Sequence, residues 1–577
     1  MLRKLAVRRG DESGFALVLV IGVSSALTIL LVAGVALALG SQRKARTDQD
    51  WSSAMAAAYA GVEEYQSRLA NDTAYVRFGN PAAQFSSAST NLTLPTGLAS
   101  NPAFGIGKTG TWAEVAGSGG SAHFRYEVDS STYSTAGQLR LRATGRAGGE
   151  TRTIVADLKQ QGFIDFLYFT DYEIQDPSIS GKATSCVKHY WEGRTGTSCG
   201  EIQFGGSDVV DGPVHSNDTL RICDATFKGI VSTAYNPTTG LKYLAQGSTG
   251  TSCTGAVFEN GKPVYSPSIP MPPTNSELRR EVRNDLAAEV PRPGCLYTGP
   301  TSIKLNSDGT MTVRSPWTKK TVVSGSPATA GAISSQCGTP GTGSNQLGSA
   351  TGAKITVPDH NVVYIQNVPS LSSDPNFATT AATTCKGASG AAGNGIGYPV
   401  ANEVVPTASA YGCNVGDAFV EGTLDGQLTI ATENHIYITG DIKYKSAADD
   451  MLGLVANNVV WVWNPVKSDK SNLLSDSGRR IDAAILSVAH TFQVQNYDQG
   501  VSRGTLTING AISQKFRGTV GLISGTAISS GYKKAYKYDT RFRYTAPPKF
   551  LSPVTTTYGV STWIEVDTAF DPDGSYR

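Results

Sequence analysis

ESGFALVLV, Glu12 to Val20, decides the fold: an acid and a serine, then Gly14, then Phe15 and the start of a long apolar run. From Phe15 to Leu39, 25 residues pass without a charge. That exceeds the roughly 20 residues a helix needs to span a bilayer, and also the apolar core of a secretory signal peptide, about 7–15 residues. Arg3, Lys4, Arg8 and Arg9 precede the run, and Arg43, Lys44 and Arg46 follow it. A signal peptide places its small residues after the apolar stretch; here the small residue, Gly14, comes before it.

The helical pattern continues past the span. In TDQDWSSAMAAAYAGVEEYQSRLA (Thr47–Ala70), Trp51, Met55, Ala58, Tyr59, Val62, Tyr65 and Leu69 recur at spacings of three and four, one stripe of a helix. Span and stripe together predict one helix about 80 Å long at ~1.5 Å per residue. Residues 71 to about 121 are rich in Gly, Ser, Pro and Asn and read as a loop. HFRYEVDS, QLRLRATG and TRTIVADLK then alternate apolar and polar residues with glycine-containing turns between them, which predicts an antiparallel sheet.

Beyond the aromatic junction FIDFLYFTDYE (Phe163–Glu173) the chain turns β-rich. AKITVPDHNVVYIQNV, DAFVEGTLDGQLTIATENHIYITGDIKY, MLGLVANNVVWVWNP, DAAILSVAHTFQVQ and GTLTINGAISQKF recur every 20–30 residues or so, with Asn, Asp and Gly at their corners. A parallel β-helix is the expected arrangement, and a β-sandwich with long loops is its rival. The fold class is thus α+β: a long apolar helix, a small antiparallel sheet and a large all-β, solenoid-like domain.

The 63 glycines and a charged fraction of 17% fit an extracellular all-β protein better than a cytosolic enzyme. A formal net charge of +2 excludes nucleic-acid binding by whole-chain electrostatics, so any such role needs a local patch. All eight cysteines (Cys186, Cys199, Cys223, Cys253, Cys295, Cys337, Cys385 and Cys413) follow the span, which points to disulfides in an oxidising exterior. None has CxxC spacing, so no zinc site is expected. Sequential neighbours are the expected pairs, because Cys186 with Cys199 and Cys385 with Cys413 bracket loop-like segments.

Gly14-Phe15 at the lipid entry, the charge-free span, its amphipathic extension and the sheet resemble the type IV pilin superfamily. The resemblance is strongest over residues 8–70 and extends across the sheet to residue 160. It implies cleavage between Gly14 and Phe15 by prepilin peptidase, N-methylation of Phe15, a membrane segment Phe15–Leu39, and assembly with other minor and major pilins. The family's glutamate at the fifth mature position is Leu19 here. In this the chain resembles minor pilins of the PilX type and tip pseudopilins of type II secretion, so the resemblance implies a tip-proximal or low-copy subunit. GPVHSNDTLRI (Gly212–Ile222) and GAISQKFRGTVGLIS (Gly510–Ser524) resemble segments of large minor-pilin heads. The implied division is leader 1–14, helix 15–70, loop and sheet 71–162, and β-solenoid head 163–577.

No catalytic signature appears. GxSxG does not appear in a strand–turn–helix context, and neither a Walker A motif nor a dinucleotide fingerprint in a strand-to-helix context appears. A polysaccharide-acting β-helix enzyme would need carboxylates aligned on successive coils, and Asp425, Asp441, Asp449, Asp450 and Asp482 do not recur at matched positions. His123, His189, His215, His360, His435 and His490 are scattered, with His435 and His490 expected inside strands. The expectation is therefore no enzyme, no cofactor and no metal. One stretch stands out: GYKKAYKYDTRFRYTAPPKF, Gly531–Phe550. Tyr532, Lys533, Lys534, Tyr536, Lys537, Arg541, Arg543 and Tyr544 interleave cations and rings, a candidate surface for DNA or surface polysaccharide. The competing reading is an edge hairpin with packed aromatics and lysines that block edge pairing. In WVW, Trp461 and Trp463 share one strand face, as a carbohydrate platform or as core. An uncleaved surface adhesin remains the alternative for the chain as a whole.

Overall fold

The computed structural model describes residues 13–71, 73–90, 92–97, 100–133, 138–160, 162–194, 197–206, 208–247, 250–282, 294–323, 331–332, 334–378, 385–388, 390, 392–524, 527–543, 545–551 and 558–577. Contacts divide the chain into two units: residues 1–134, 138–159 and 558–577 form one, and residues 135–137 and 160–557 the other.

In the first unit, helix α1 (Ser13–Asn71) runs unbroken for 59 residues. Its second half packs on a sheet of β1 (Ala113–Glu114), β2 (Ala122–Asp129), β3 (Gln138–Ala147) and β4 (Glu150–Gln160), each antiparallel to the next. The buried face is Ala54, Ala57, Ala58, Val62, Tyr65 and Leu69. Trp51 and Tyr59, expected in the stripe, stay half exposed on its flank, where the Arg152 guanidinium lies 3.4 Å from the Trp51 ring centre and Trp563 lies 4.9 Å from Tyr59. Alanines replace them because the helix comes close: a Cβ on Gly145 of β3 would stand 2.0 Å from the Ala54 carbonyl oxygen and 2.3 Å from the Ala58 nitrogen.

The sheet has a fifth strand, Tyr558–Val566, beside β4. The expected boundary at 577 is thus corrected: residues 558–577 belong with the helix and the small sheet, and the β-rich body is inserted between β4 and this strand. A buried cation anchors the return. Arg125 donates to the carbonyls of Thr111 (2.7 Å), Gly107 (3.0 Å), Gly110 and Gly574 (3.3 Å), between the rings of Trp112 and Phe570. Burial, with Arg146 nearby, pulls its pKa down to about 10. Ala569 N–H donates to Thr153 Oγ1 at 3.0 Å, and Thr151 Oγ1 donates to the Phe570 carbonyl at 2.8 Å.

The second unit is built from parallel ladders. One runs through Cys295, Val363, Ile430, Leu454, Ile485, Ile512, Tyr168, Val214 and Val231, each residue paired with the next and all buried. A second aligns Ile436, Val460 and Phe492, and a third Ile442, Ile481, Ile508, Tyr536, Val210, Phe227 and Phe258. Order in space departs from order in the chain: β5 (Tyr168–Tyr172), the first strand of this unit, stacks on Ser502–Phe516, near its last. The outer face of the first ladder is also apolar, with Leu296, Tyr364, Ala431, Val455, Leu486 and Phe169 covered by Phe163, Ile269, Leu278 and Val282.

Corners between strands are polar. Asn458 Nδ2 donates to Asn434 Oδ1 at 2.6 Å; Asn434 Nδ2 (2.6 Å) and His435 N–H (3.1 Å) both donate to Asp417 Oδ1. His435 and His490 lie at these corners and not inside strands, since strands end at Thr432 and Ser487 and resume at Ile436 and Phe492. Burial pushes Asp417 up to about 7, and burial with His490 pushes His435 down to about 3. The cysteines pair in sequence order, Cys186–Cys199, Cys223–Cys253, Cys295–Cys337 and Cys385–Cys413, each closing a loop and so restricting the unfolded chain.

Two expectations follow. Asp417 is an acid with a raised folded pKa, so its contribution to stability is complete below about pH 4 and is lost as pH rises through about 7, at ~1.4 kcal/mol per unit. His435 works in the opposite sense, losing stability as pH falls below ~6.5. Asp417 Oδ2 has no partner among the described residues and Oδ1 accepts both bonds, so Asp417→Asn keeps the geometry. The stability gap between variant and wild type should widen by ~3 kcal/mol from pH 5 to pH 8 in denaturant titrations; parallel pH curves would refute this. Gly145→Ala should cost ~2–3 kcal/mol by driving α1 off β3, whereas Gly149→Ala, with open space around it, should be near neutral by the same titration.

Candidate functional site

The largest exposed apolar feature is the first half of α1. Every residue from 16 to 49 is exposed, and no charge interrupts the surface before Arg43. Leu30 and Leu37 are 69% and 76% open. The segment is long and apolar enough to cross a membrane, with a mean hydropathy of 2.6 and none of its apolar window buried. Isolated in water, such a helix would leave a continuous apolar surface unpaired, so lipid or other apolar helices must cover it. Gly14 and Phe15 lie in its first turn by backbone; the Phe15 side chain and residues 1–12, including most of the expected leader, fall outside the described residues.

The basic and aromatic stretch is not the expected ligand surface. Ala527–Tyr538 is a strand paired in parallel with Ser502–Phe516 on one side and Val209–Asp211 on the other, so it is no edge. Alternation turns Tyr532, Tyr536 and Tyr538 into the core, the last donating its hydroxyl to the Ile164 carbonyl at 2.8 Å. Lys534 points inward too, 2.8 Å from Asp208, beside the buried pair Arg517–Glu173 at 2.8 Å. Its burial lowers the lysine pKa, with Asp208 opposing. Arg541 is held by Asp539 and donates to the Asp450 carbonyl at 2.8 Å. Lys533, Lys537 and Arg543 remain exposed, and Tyr544 lies outside the described residues. Among the described residues of the stretch, no ring is fully exposed beside these cations.

The five candidate aspartates have individual partners: Asp425 Lys445 (2.7 Å), Asp441 Lys443 (2.8 Å), Asp482 Arg480 (3.0 Å), while Asp449 and Asp450 accept from Ser446. Asp176, Ser178 and His490 lie together, but both oxygens meet the same imidazole nitrogen, Nδ1, at 2.6 and 3.2 Å. A relay needs the acid on one ring nitrogen and the hydroxyl on the other. Cys223, Asp224 and Cys253 are close enough to hold a metal, yet the two sulfurs are bonded to each other and offer no thiolate.

The two tryptophans of WVW differ. Trp463 Nε1 donates to Tyr411 (2.9 Å) and Glu403 (3.2 Å), a purely internal arrangement. Trp461, 2% exposed, has no acceptor for Nε1 among the described residues, and it lines a cavity of ≈ 280 Å³ with Gln175, Asp176, Gln493, Gln495 and Tyr497. Sequence reasoning missed this cavity because its walls come from residues more than 300 positions apart; WVW was its one signal.

No protein-family model matches the chain, and no curated protein matches it. Among solved structures it is similar to the competence-associated pilin ComZ from Thermus thermophilus, at 11% identity, with 90% of this chain and 97% of that chain covered and a TM-score of 0.24.

Proposed function

We propose that the chain is a minor pilin-like subunit, anchored by α1 in the cytoplasmic membrane with its β-rich head outside, and carried into a filament at or near its tip. The observation that supports this best is the division of one unbroken helix: an exposed apolar half, and a half that forms the spine of an antiparallel sheet. A simple membrane anchor has no need to be continuous with the core of the first folded domain. Gly14-Phe15 at the start of that helix is where a prepilin peptidase would cut. The four disulfides favour an oxidising compartment for the head.

Leu19 supports the tip position. A glutamate there would pair with the terminal amine of a neighbour, and burying that amine unpaired is costly; a subunit with few neighbours above it avoids the cost. The partners are other pilins, and the head serves adhesion rather than catalysis, since its candidate acids are engaged in structural pairs. Leu19 equally fits a tip pseudopilin of type II secretion.

Mass spectrometry of the mature terminus, in membranes and in filaments sheared from cells, tests the reading. An N-methylated Phe15 is expected in both fractions, with major pilins present in the second. An intact Met1, or a terminus beyond Leu39, would sink the assembly role. Co-purification with secretion pseudopilins in place of pilus subunits would move the chain to the second system.

A further inference from the structure

We propose that Lys534 and Asp208 condense into an intramolecular amide, which ties the late strand Ala527–Tyr538 to the segment that enters Val209–Asp211. The lysine ammonium donates to Asp208 Oδ2 at 2.8 Å, across 326 positions of sequence. Their side chains are 17% and 5% exposed. In the other lysine–carboxylate pairs among the described residues the lysine is 35% to 69% exposed, so water reaches it and keeps it charged. Strand pairing holds the two reactants together. Tyr536 stands against Val210 and Lys537 against Asp211; continued by two positions, that register brings Lys534 level with Asp208.

The surroundings favour condensation over a lasting ion pair. Burial, the largest influence, and the like charge of Arg517 draw the lysine toward its neutral, nucleophilic form, against Asp208 and Glu173. The carboxylate is fixed by its own turn: Asp208 N–H donates to the Gly205 carbonyl at 2.9 Å, and Gly205 N–H donates back to Oδ2 at 3.0 Å. That N–H meets the oxygen on which negative charge grows when nitrogen adds to Cγ. Phe204, its ring centre 5.6 Å from Nζ, is itself buried and helps to exclude water. Two groups held in one geometry react as if at an effective concentration on the order of 10⁵ M or more. One Nζ proton passes to the carboxylate, the neutral nitrogen adds to Cγ, and the C–N bond forms. The C–Oδ1 bond then breaks, and that oxygen leaves as water with two of the three Nζ protons. The charges cancel and no oxidant or other reactant is consumed. The amide removes two charges from the interior and leaves Arg517 paired with Glu173 at 2.8 Å, so a buried ion pair that is costly to desolvate becomes a neutral group.

The amide belongs to the β-rich unit and does not rest on the pilin reading. The test is the mass of the whole chain, purified folded in detergent and then reduced and unfolded, followed by tandem mass spectrometry of its tryptic peptides. Counted from whichever N-terminus is found, the chain should be lighter than its sequence by one water. A branched peptide should join the segment of Lys534 to that of Asp208. Lys534→Arg keeps a cation for Asp208, but a guanidinium stays protonated and is no nucleophile. That variant should keep its full mass and yield linear peptides alone. A folded wild-type chain at full mass, a missing water located in an Asp-Gly succinimide, or a missing water that Lys534→Arg shares would each overturn the proposal. The wild-type mass and peptides decide the matter even where the variant does not fold.

Discussion

The second unit depends on the ladder between Ser502–Phe516 and β5, where Ile512 stands against Tyr168 and Gln514 against Thr170. On one side of this seam lie coils that run in chain order from Cys295; on the other lie β5 and the strands after it. Backbone hydrogen bonds across the seam join residues more than 300 positions apart. The loop-closure cost of such a contact grows only slowly with length, but it must be met before the pairing is rewarded. Inward residues at the seam, Ile485, Ile512, Tyr168 and Val214, continue one apolar column without a break. That continuity lets the junction bury the same kind of apolar surface as the other steps of the ladder.

Polar groups near the seam fix its register. Glu173, one residue past the ladder, accepts from Arg517, and Asp208 accepts from Lys534. Buried ion pairs of this kind add little net stability relative to apolar packing, but losing one partner costs ~3–5 kcal/mol. A slip of one residue would leave both cations unpaired inside the protein. The corners act similarly, with Asp417, Asn434 and Asn458 linked coil to coil.

Much of this was legible in the residues and some was not. The 3.6-residue stripe located α1 because burial on one face leaves a periodic trace, although Ala54 and Ala57 face the sheet in place of Trp51 and Tyr59. The alternating runs 123–130, 138–145 and 151–159 became β2, β3 and β4. Recurrence every 20–30 residues or so corresponded to strands in parallel ladders, whose inner positions are apolar and whose corners bend. Coil order was illegible, since Tyr168 carries no mark that its neighbour is Ile512. The Gly531–Phe550 stretch misled because composition does not reveal phase: with Tyr532 turned inward, Lys534, Tyr536 and Tyr538 follow it. The cavity at Trp461 is walled by residues far apart in the chain, from Gln175 to Asp498, which no local composition or spacing records.

Both sheets finish late. The small sheet acquires its fifth strand only from residues 558–566, and the stacked body closes only when 502–538 reach β5 and Val209–Asp211. A chain that folds from its N-terminal side therefore carries open strand edges on both units until nearly all of it is present. Any product that stops before residue 500 keeps those edges bare, and bare edges invite foreign strands and proteases. The topology thus makes completeness of the chain a condition for a quiet surface, and truncated copies distinguish themselves by failing to close.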